Sequence, residues 1–144
     1  MSPTLIVDAS VAVKWVVEEN GTDRAVKLRS SFTFLAPELI VAEWANILWK
    51  KTRRQEITRE QAVIAAKLLN RCGIECVGMR SLGEAATALA IDLGHPAYDC
   101  LYLALARERN CRFVTADQRL LATVAQRALP DVAALCVSLD AFPP

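Results

Sequence analysis

Four acidic residues, Asp8, Glu43, Asp99 and Asp117, stand where a carboxylate can do chemistry. Asp8 follows the apolar run Leu5-Ile6-Val7 and precedes the small pair Ala9-Ser10, the pattern of a buried strand that ends on an acid and turns at once into a helix. Cys111-Arg112-Phe113-Val114-Thr115, running into Ala116-Asp117, repeats that pattern. Glu43 falls within a long predicted helix, where Leu39, Ile40, Asn46 and Ile47 share its face. An acid on so apolar a stripe must be protonated, meet a base or bind a cation, because a buried unpaired charge is expensive. The first basic residue on that face is Lys50. Asp99 opens another helix, with Tyr102 and Leu103 one turn along setting it over the interior. Carboxylates gathered without thiolates or several histidines suit a hard cation that takes oxygen ligands and retains waters, Mg²⁺ or Mn²⁺ before Zn²⁺. Such ions commonly serve phosphoryl chemistry. Helix capping is the competing account of Asp8 and Asp99.

For Asp8 and Asp117 to meet, the first and fourth strands must be near neighbours, as at the switch point of an open parallel sheet. The sequence predicts strands over 5–7, 32–36, 74–77, 111–115 and 135–139, the last at an edge. Helices are predicted over 11–18, 22–30, 38–54, 58–71, 81–93, 100–106 and 118–129. Pro37 is expected to open the 38–54 helix. Thr58 with Gln61 and Ser81 with Glu84 have the spacing of capping boxes, and Gly94 ends the second of these helices. Asp92, near that end, reads as an exposed acid without a role. His95, the only histidine, sits beside a proline and reads as a turn residue.

With 144 residues, 53% of them hydrophobic, the chain suits one α/β domain spanning 1–144. Lys and Arg total 17 against 16 for Asp and Glu, so attraction to a polyanion must come from local patches. The densest is Lys50-Lys51-Thr52-Arg53-Arg54, which suits a helix carboxyl end and is also the candidate for contact with a phosphate backbone. Five cysteines without a CxxC pair fit a reducing, cytoplasmic setting. The sequence gives no signal-peptide pattern and no transmembrane run. Neither Ser10 nor any cysteine has a histidine base placed by sequence, which disfavours a Ser-His or Cys-His hydrolase. An aspartyl-nucleophile phosphatase would carry a second Asp where Ser10 stands, and a receiver-like domain would carry a lysine after a late strand.

Taken together, Leu5-Ile6-Val7-Asp8-Ala9-Ser10, Glu43 in the 37–46 stretch, Pro96-Ala97-Tyr98-Asp99 before an alanine-leucine helix, and Thr115-Ala116-Asp117-Gln118-Arg119-Leu120 resemble the PIN-domain family, in particular the VapC toxins of bacterial toxin–antitoxin pairs. The resemblance implies a three-layer α/β/α domain around a central parallel sheet and Mg²⁺- or Mn²⁺-dependent endonucleolytic cleavage of RNA. It implies Asp8, Asp99 and Asp117 as metal ligands, directly or through water, and Glu43 as a ligand or a carboxylate that orients water. Ser10 and Thr115 match the small hydroxyl residues that hold ligands in place. A homodimer and a VapB-like antitoxin, whose carboxyl-terminal segment lies along a groove, are the implied partners. Trp15, Trp44 and Trp49 are candidates for that groove or for ordinary core. A catalytically silent RNA- or protein-binding module is the alternative that the same residues leave open.

Overall fold

Leu5, Ile6 and Val7 lack polar alternation because their strand, β1 (Thr4–Val7), is covered on both faces; none of the three is more than 1% exposed. It forms the middle of a five-stranded, all-parallel sheet in the computed structural model, which describes residues 2–127 and 130–144. On one side of β1 lie β2 (Thr33–Pro37) and then β3 (Ile74–Val77); on the other lie β4 (Arg112–Thr115) and then β5 (Cys136–Ser138). The chain thus builds outward from β1 to β3 and returns to β4 on the far side of β1. The two directions of travel, with right-handed crossovers, send the connecting helices to opposite faces. One layer holds α1 (Ala9–Ala12), α2 (Thr22–Leu28), α3 (Ile40–Arg53) and α4 (Arg59–Asn70). The other holds α5 (Gly83–Leu93), α6 (Ala97–Arg109), α7 (Gln118–Arg127) and α8 (Pro130–Ala133). The expected α/β/α architecture is therefore present. Beneath the sheet, α6 buries Cys100 and Tyr102 to Ala106, and the Tyr102 ring stacks on Phe113 of β4 at 5.3 Å between centroids.

Three local expectations are corrected. Pro37 ends β2, opposite Val77 of β3, and does not open α3. The neighbouring amide of Glu38 is still held by the Val77 carbonyl at 2.8 Å, so the strand pairing runs on and the helix begins only at Ile40. The first helix is far shorter than 11–18: α1 stops at Ala12, a 3₁₀ turn covers Val13–Trp15, and Val16 leaves the helical region at φ −122°. A run rich in β-branched valines loses side-chain freedom in a helix, which favours so early a stop. Ser81 forms no capping box; it sits in a 3₁₀ turn, Arg80–Leu82, and α5 starts at Gly83. The final residue of the predicted 118–129 helix, Leu129, lies outside the described residues, as does Ala128.

Two other helix signals hold. Thr58 and Gln61 bond reciprocally at the start of α4, at 2.8 and 3.1 Å. Gly94 closes α5 at φ +61°, a left-handed conformation that suits glycine. Thr58→Ala is therefore expected to cost about 1 kcal/mol of stability in denaturant titration, whereas Ser81→Ala should cost nothing measurable. Equal losses in the two variants would contradict this assignment of caps.

Candidate active site

The register of β1 against β4 sets Val7 opposite Val114 and ties the Asp8 amide to the Val114 carbonyl at 3.1 Å, so Asp8 comes to lie beside Thr115. This is the switch point of the sheet, where open parallel sheets present their ligand crevice. Asp8, Glu43, Asp99 and Asp117 all line one cleft there, with a volume of about 470 Å³; Ser10, Leu39, Asn46, Ile47, Lys50 and Tyr98 complete most of its wall. Asp92 lies exposed on α5 and outside the cleft.

The four carboxylates share a pattern. Asp8 Oδ2 accepts hydrogen bonds from the Ser10 hydroxyl at 2.9 Å and the Thr115 hydroxyl at 2.6 Å. Glu43 Oε1 accepts from the Tyr102 hydroxyl at 2.5 Å. Asp99 Oδ2 lies 2.6 Å from His95 Nε2. Asp117 Oδ1 accepts from the backbone amides of Arg119 and Leu120 at 3.0 and 3.1 Å. In each case one oxygen is fixed, and among the described residues the other accepts no hydrogen bond.

These bonds decide the question of capping. Asp8 occupies the position before α1 but makes no side-chain cap, and Asp99 bonds to His95 instead of to the start of α6. Asp117 does cap α7, so there the structural role and a place in the cleft coexist. Ser10 and Thr115 also link both strand ends: Ser10 Oγ accepts from the Ala116 amide at 3.2 Å, and Thr115 Oγ1 accepts from the Asp117 amide at 3.0 Å.

Burial dominates the electrostatics. Asp8 is 7% exposed, and desolvation raises its carboxyl above the ordinary range; the Thr115 and Ser10 bonds oppose that shift, while Asp99 and Asp117 reinforce it. Desolvation likewise raises Glu43 to about 7, the Tyr102 bond opposing and the charges of Asp8 and Asp99 adding to it. The tyrosine hydroxyl is itself held far above its usual range, mainly by burial and by Glu43.

The donor set fits a hard cation, since four acids, anchored by hydroxyls, backbone amides and, for Asp99, an imidazole, offer carboxylate oxygens. Among the described residues, however, no three Asp, Glu, His or Cys side chains converge closely enough to hold one ion between them. Water would therefore have to complete much of the coordination, as is usual for Mg²⁺.

The basic run at the end of α3 is dispersed. Lys50 lines the cleft, Lys51 is paired with Glu19, and the Arg53 guanidinium lies 4.7 Å from the Trp49 ring centroid. Arg54 lines a neighbouring cavity. The tryptophans separate too. Trp15 donates to the Ala25 carbonyl at 2.8 Å and packs on Phe34, and Trp44 is 4% exposed, so both belong to the core; Trp49 is 53% exposed. Sequence reasoning missed Tyr102 as the partner of Glu43 and His95 as the partner of Asp99. A signal existed only for His95, which stands four residues before Asp99 and so one turn away.

Comparison with known proteins bears on this geometry. The sequence model of the PIN domain matches residues 5–126. Ribonuclease VapC3 of Pyrobaculum aerophilum is 33% identical over 122 residues, covering 81% of this chain and 91% of that protein. The crystal structure of PAE2754 from the same organism superposes with a TM-score of 0.70 at 23% identity, covering 98% of this chain and 94% of the other. A chain of a toxin-antitoxin complex from Klebsiella pneumoniae superposes with a TM-score of 0.63 at 12% identity, over 94% and 97% of the two chains.

Proposed function

The chain belongs to the PIN-domain family, and on that premise we propose that it is a Mg²⁺- or Mn²⁺-dependent endoribonuclease, the toxin of a toxin–antitoxin pair. The observation that carries this reading is the half-anchored state of all four cleft carboxylates. Each keeps one oxygen without a hydrogen bond among the described residues at a cleft that all four line, and such oxygens are what a hard cation would take.

Asp8, Asp99 and Asp117 hold the cation, directly or through water, and Glu43 serves as a further ligand or positions water. Ser10 and Thr115 fix Asp8 Oδ2, so that the remaining oxygen has one orientation; His95 and Tyr102 do the same for Asp99 and Glu43. Anchored in this way, the acids spend little further ordering when the ion and the phosphate arrive. When bound, the metal supplies charge for a phosphate oxygen and makes water a nucleophile at neutral pH. No side chain is needed as a covalent nucleophile.

The antitoxin partner is supported by the fold shared with the Klebsiella complex, and the RNA substrate by the name of the Pyrobaculum relative. A VapB-like antitoxin with a basic side chain would meet its complement in the acid cleft. Self-association as a homodimer and a cytoplasmic setting complete the proposal. Among the described residues, no helix is long and apolar enough to cross a membrane.

Purified protein given single-stranded RNA with Mg²⁺ or Mn²⁺ should produce internal cuts that disappear in excess chelator. Cutting that persists in chelator would remove the metal from the reading. RNA bound but never cut with either ion would establish the binding-only module instead.

A further inference from the structure

The acid cleft continues on two sides. Ser10, Ile47 and Lys50 also line a second cavity of about 400 Å³, and Asp99 and Asp117 also line a third of about 440 Å³. The second cavity is basic where the cleft is acidic, and the third sets as many arginines as acids along its wall.

In the second cavity, Lys14, Lys50, Lys51 and Arg54 face only Glu19 and Glu56. Glu19 is shared: Oε1 takes Lys14 at 3.1 Å and Oε2 takes Lys51, and the two lysine side chains are only 13% and 15% exposed. A structural ion pair needs one lysine. The second adds a largely buried positive charge, and Glu56, the other acid on the wall, pairs with neither lysine, so an anion in the cavity would complete the arrangement. Lys14 spends two donors, on Glu19 and on the Asn20 carbonyl at 2.6 Å, whereas Lys51 spends one of its three. Lys51 therefore has donors to spare for a ligand in the cavity it lines.

In the third cavity the only acids are the two shared with the cleft, and they are met by Arg119 and Arg127 alongside Thr123 and Gln126. Arg127 gives one donor to the Leu93 carbonyl at 3.3 Å, whereas the exposed Arg119 guanidinium makes no hydrogen bond among the described residues and is wholly available to a ligand.

We propose that an RNA strand lies through all three cavities, with phosphates on one side of the cleaved bond held by Lys51 and Arg54 and a phosphate on the other side held by Arg119. This rests on the endoribonuclease reading and adds the path of the substrate. Four acids repel a polyanion before a cation neutralises them, and the cationic side chains on either flank offset that repulsion at the neighbouring phosphates. The enzyme therefore requires nucleotides on both sides of the bond it cuts.

Binding of fluorescently labelled single-stranded RNA is followed by anisotropy in chelator across a salt series. Lys51→Gln, Arg54→Gln and Arg119→Gln should each flatten the slope of log affinity against log salt by about 0.7. Arg53→Gln removes the same charge beside Arg54 but from a side chain that lines none of the three cavities, and should leave the slope in place. Circular dichroism checks that Lys51→Gln, which loses an ion pair, is folded; Arg54 and Arg119 are exposed and carry the test independently. With metal present, the three variants should raise KM and leave kcat near wild type. On oligonucleotides shortened at one end, each effect should vanish when the nucleotides over that flank are missing.

RNA bound by the wild type with slopes unchanged in all three variants would overturn the path while leaving the nuclease reading intact. Failure of the wild type to bind RNA at all would overturn both.

Discussion

Asp8→Asn is expected to lower metal-dependent RNA cleavage by at least about 100-fold while the domain stays folded. Even groups that merely orient a metal ligand are worth 10–100-fold in affinity or activity, and Asp8 is the acid most firmly held: two hydroxyls on one oxygen, and a position at the join of β1 and β4. Asparagine keeps its size and can still meet one of those hydroxyls, so the loss falls on charge and not on packing. Asp92→Asn is the control, since that side chain is exposed on α5 away from the cleft. Cleavage rates and far-ultraviolet dichroism of the two variants should be compared. Full activity in Asp8→Asn would remove this acid from the chemistry, and an unfolded Asp8→Asn would make it structural.

Glu43→Gln should stabilise the metal-free protein at alkaline pH. The native carboxyl, raised from 4.5 to about 7 by burial first, binds its proton more tightly than the unfolded chain does. Below the unfolded value both states are protonated and nothing is lost. Between about 4.5 and 7 the native state holds the extra proton, so stability falls as pH rises, and above about 7 the full cost remains. A shift of this size corresponds to about 2–3 kcal/mol. Glutamine removes the charge while its carbonyl can still accept from Tyr102. Melting curves in chelator should therefore show Glu43→Gln above wild type at pH 8 and close to it at pH 4.5. Added Mg²⁺ or Mn²⁺ should raise the wild type more than the variant, because on the proposed reading this acid would help to hold the ion, as a ligand or through water, in the native state. A lower melting temperature for Glu43→Gln at pH 8 would mean that the carboxylate is held by attractive partners and that the acids do not repel one another.

The sequence disclosed the sheet better than its connections. Strands covered on both faces are short unbroken apolar runs, and Leu5-Ile6-Val7 and Phe113-Val114 announce themselves in that way. Helix starts were less legible, because Pro37 has two good homes, a first helical turn or the last position of a strand. Only the amide of Glu38 bonding to Val77 in β3 decides between them. Ser81 and Thr58 make the same point: identical spacing produced a capping box at one and a 3₁₀ turn at the other. At the site, the acids were readable from their placement on apolar surroundings, but their anchors were not. Tyr102 lies 59 residues from Glu43 in sequence, and its hydroxyl is recognised as a partner only once α3 and α6 have been placed on the two faces of one sheet. The basic cluster was legible as a run but its surroundings were not: around one helix end Lys51 pairs with Glu19 and shares a cavity wall with Arg54, while Arg53 lies over the Trp49 ring.

The central position of β1 also bears on timing. Asp8 and Thr115, whose side chains bond, stand 107 residues apart, so β1 is made long before the strand that brings Thr115 and Asp117 beside it. A growing polypeptide on the ribosome carries Asp8, Glu43 and Asp99 well before it has β4, and until then the first strand lacks the neighbour that turns its acid into the cleft. The complete site therefore requires β4 to be made and paired with β1. A chain cut short before β4 lacks Thr115, Asp117 and the strand that holds Asp8 in place, and with them any activity that depends on the joined strands.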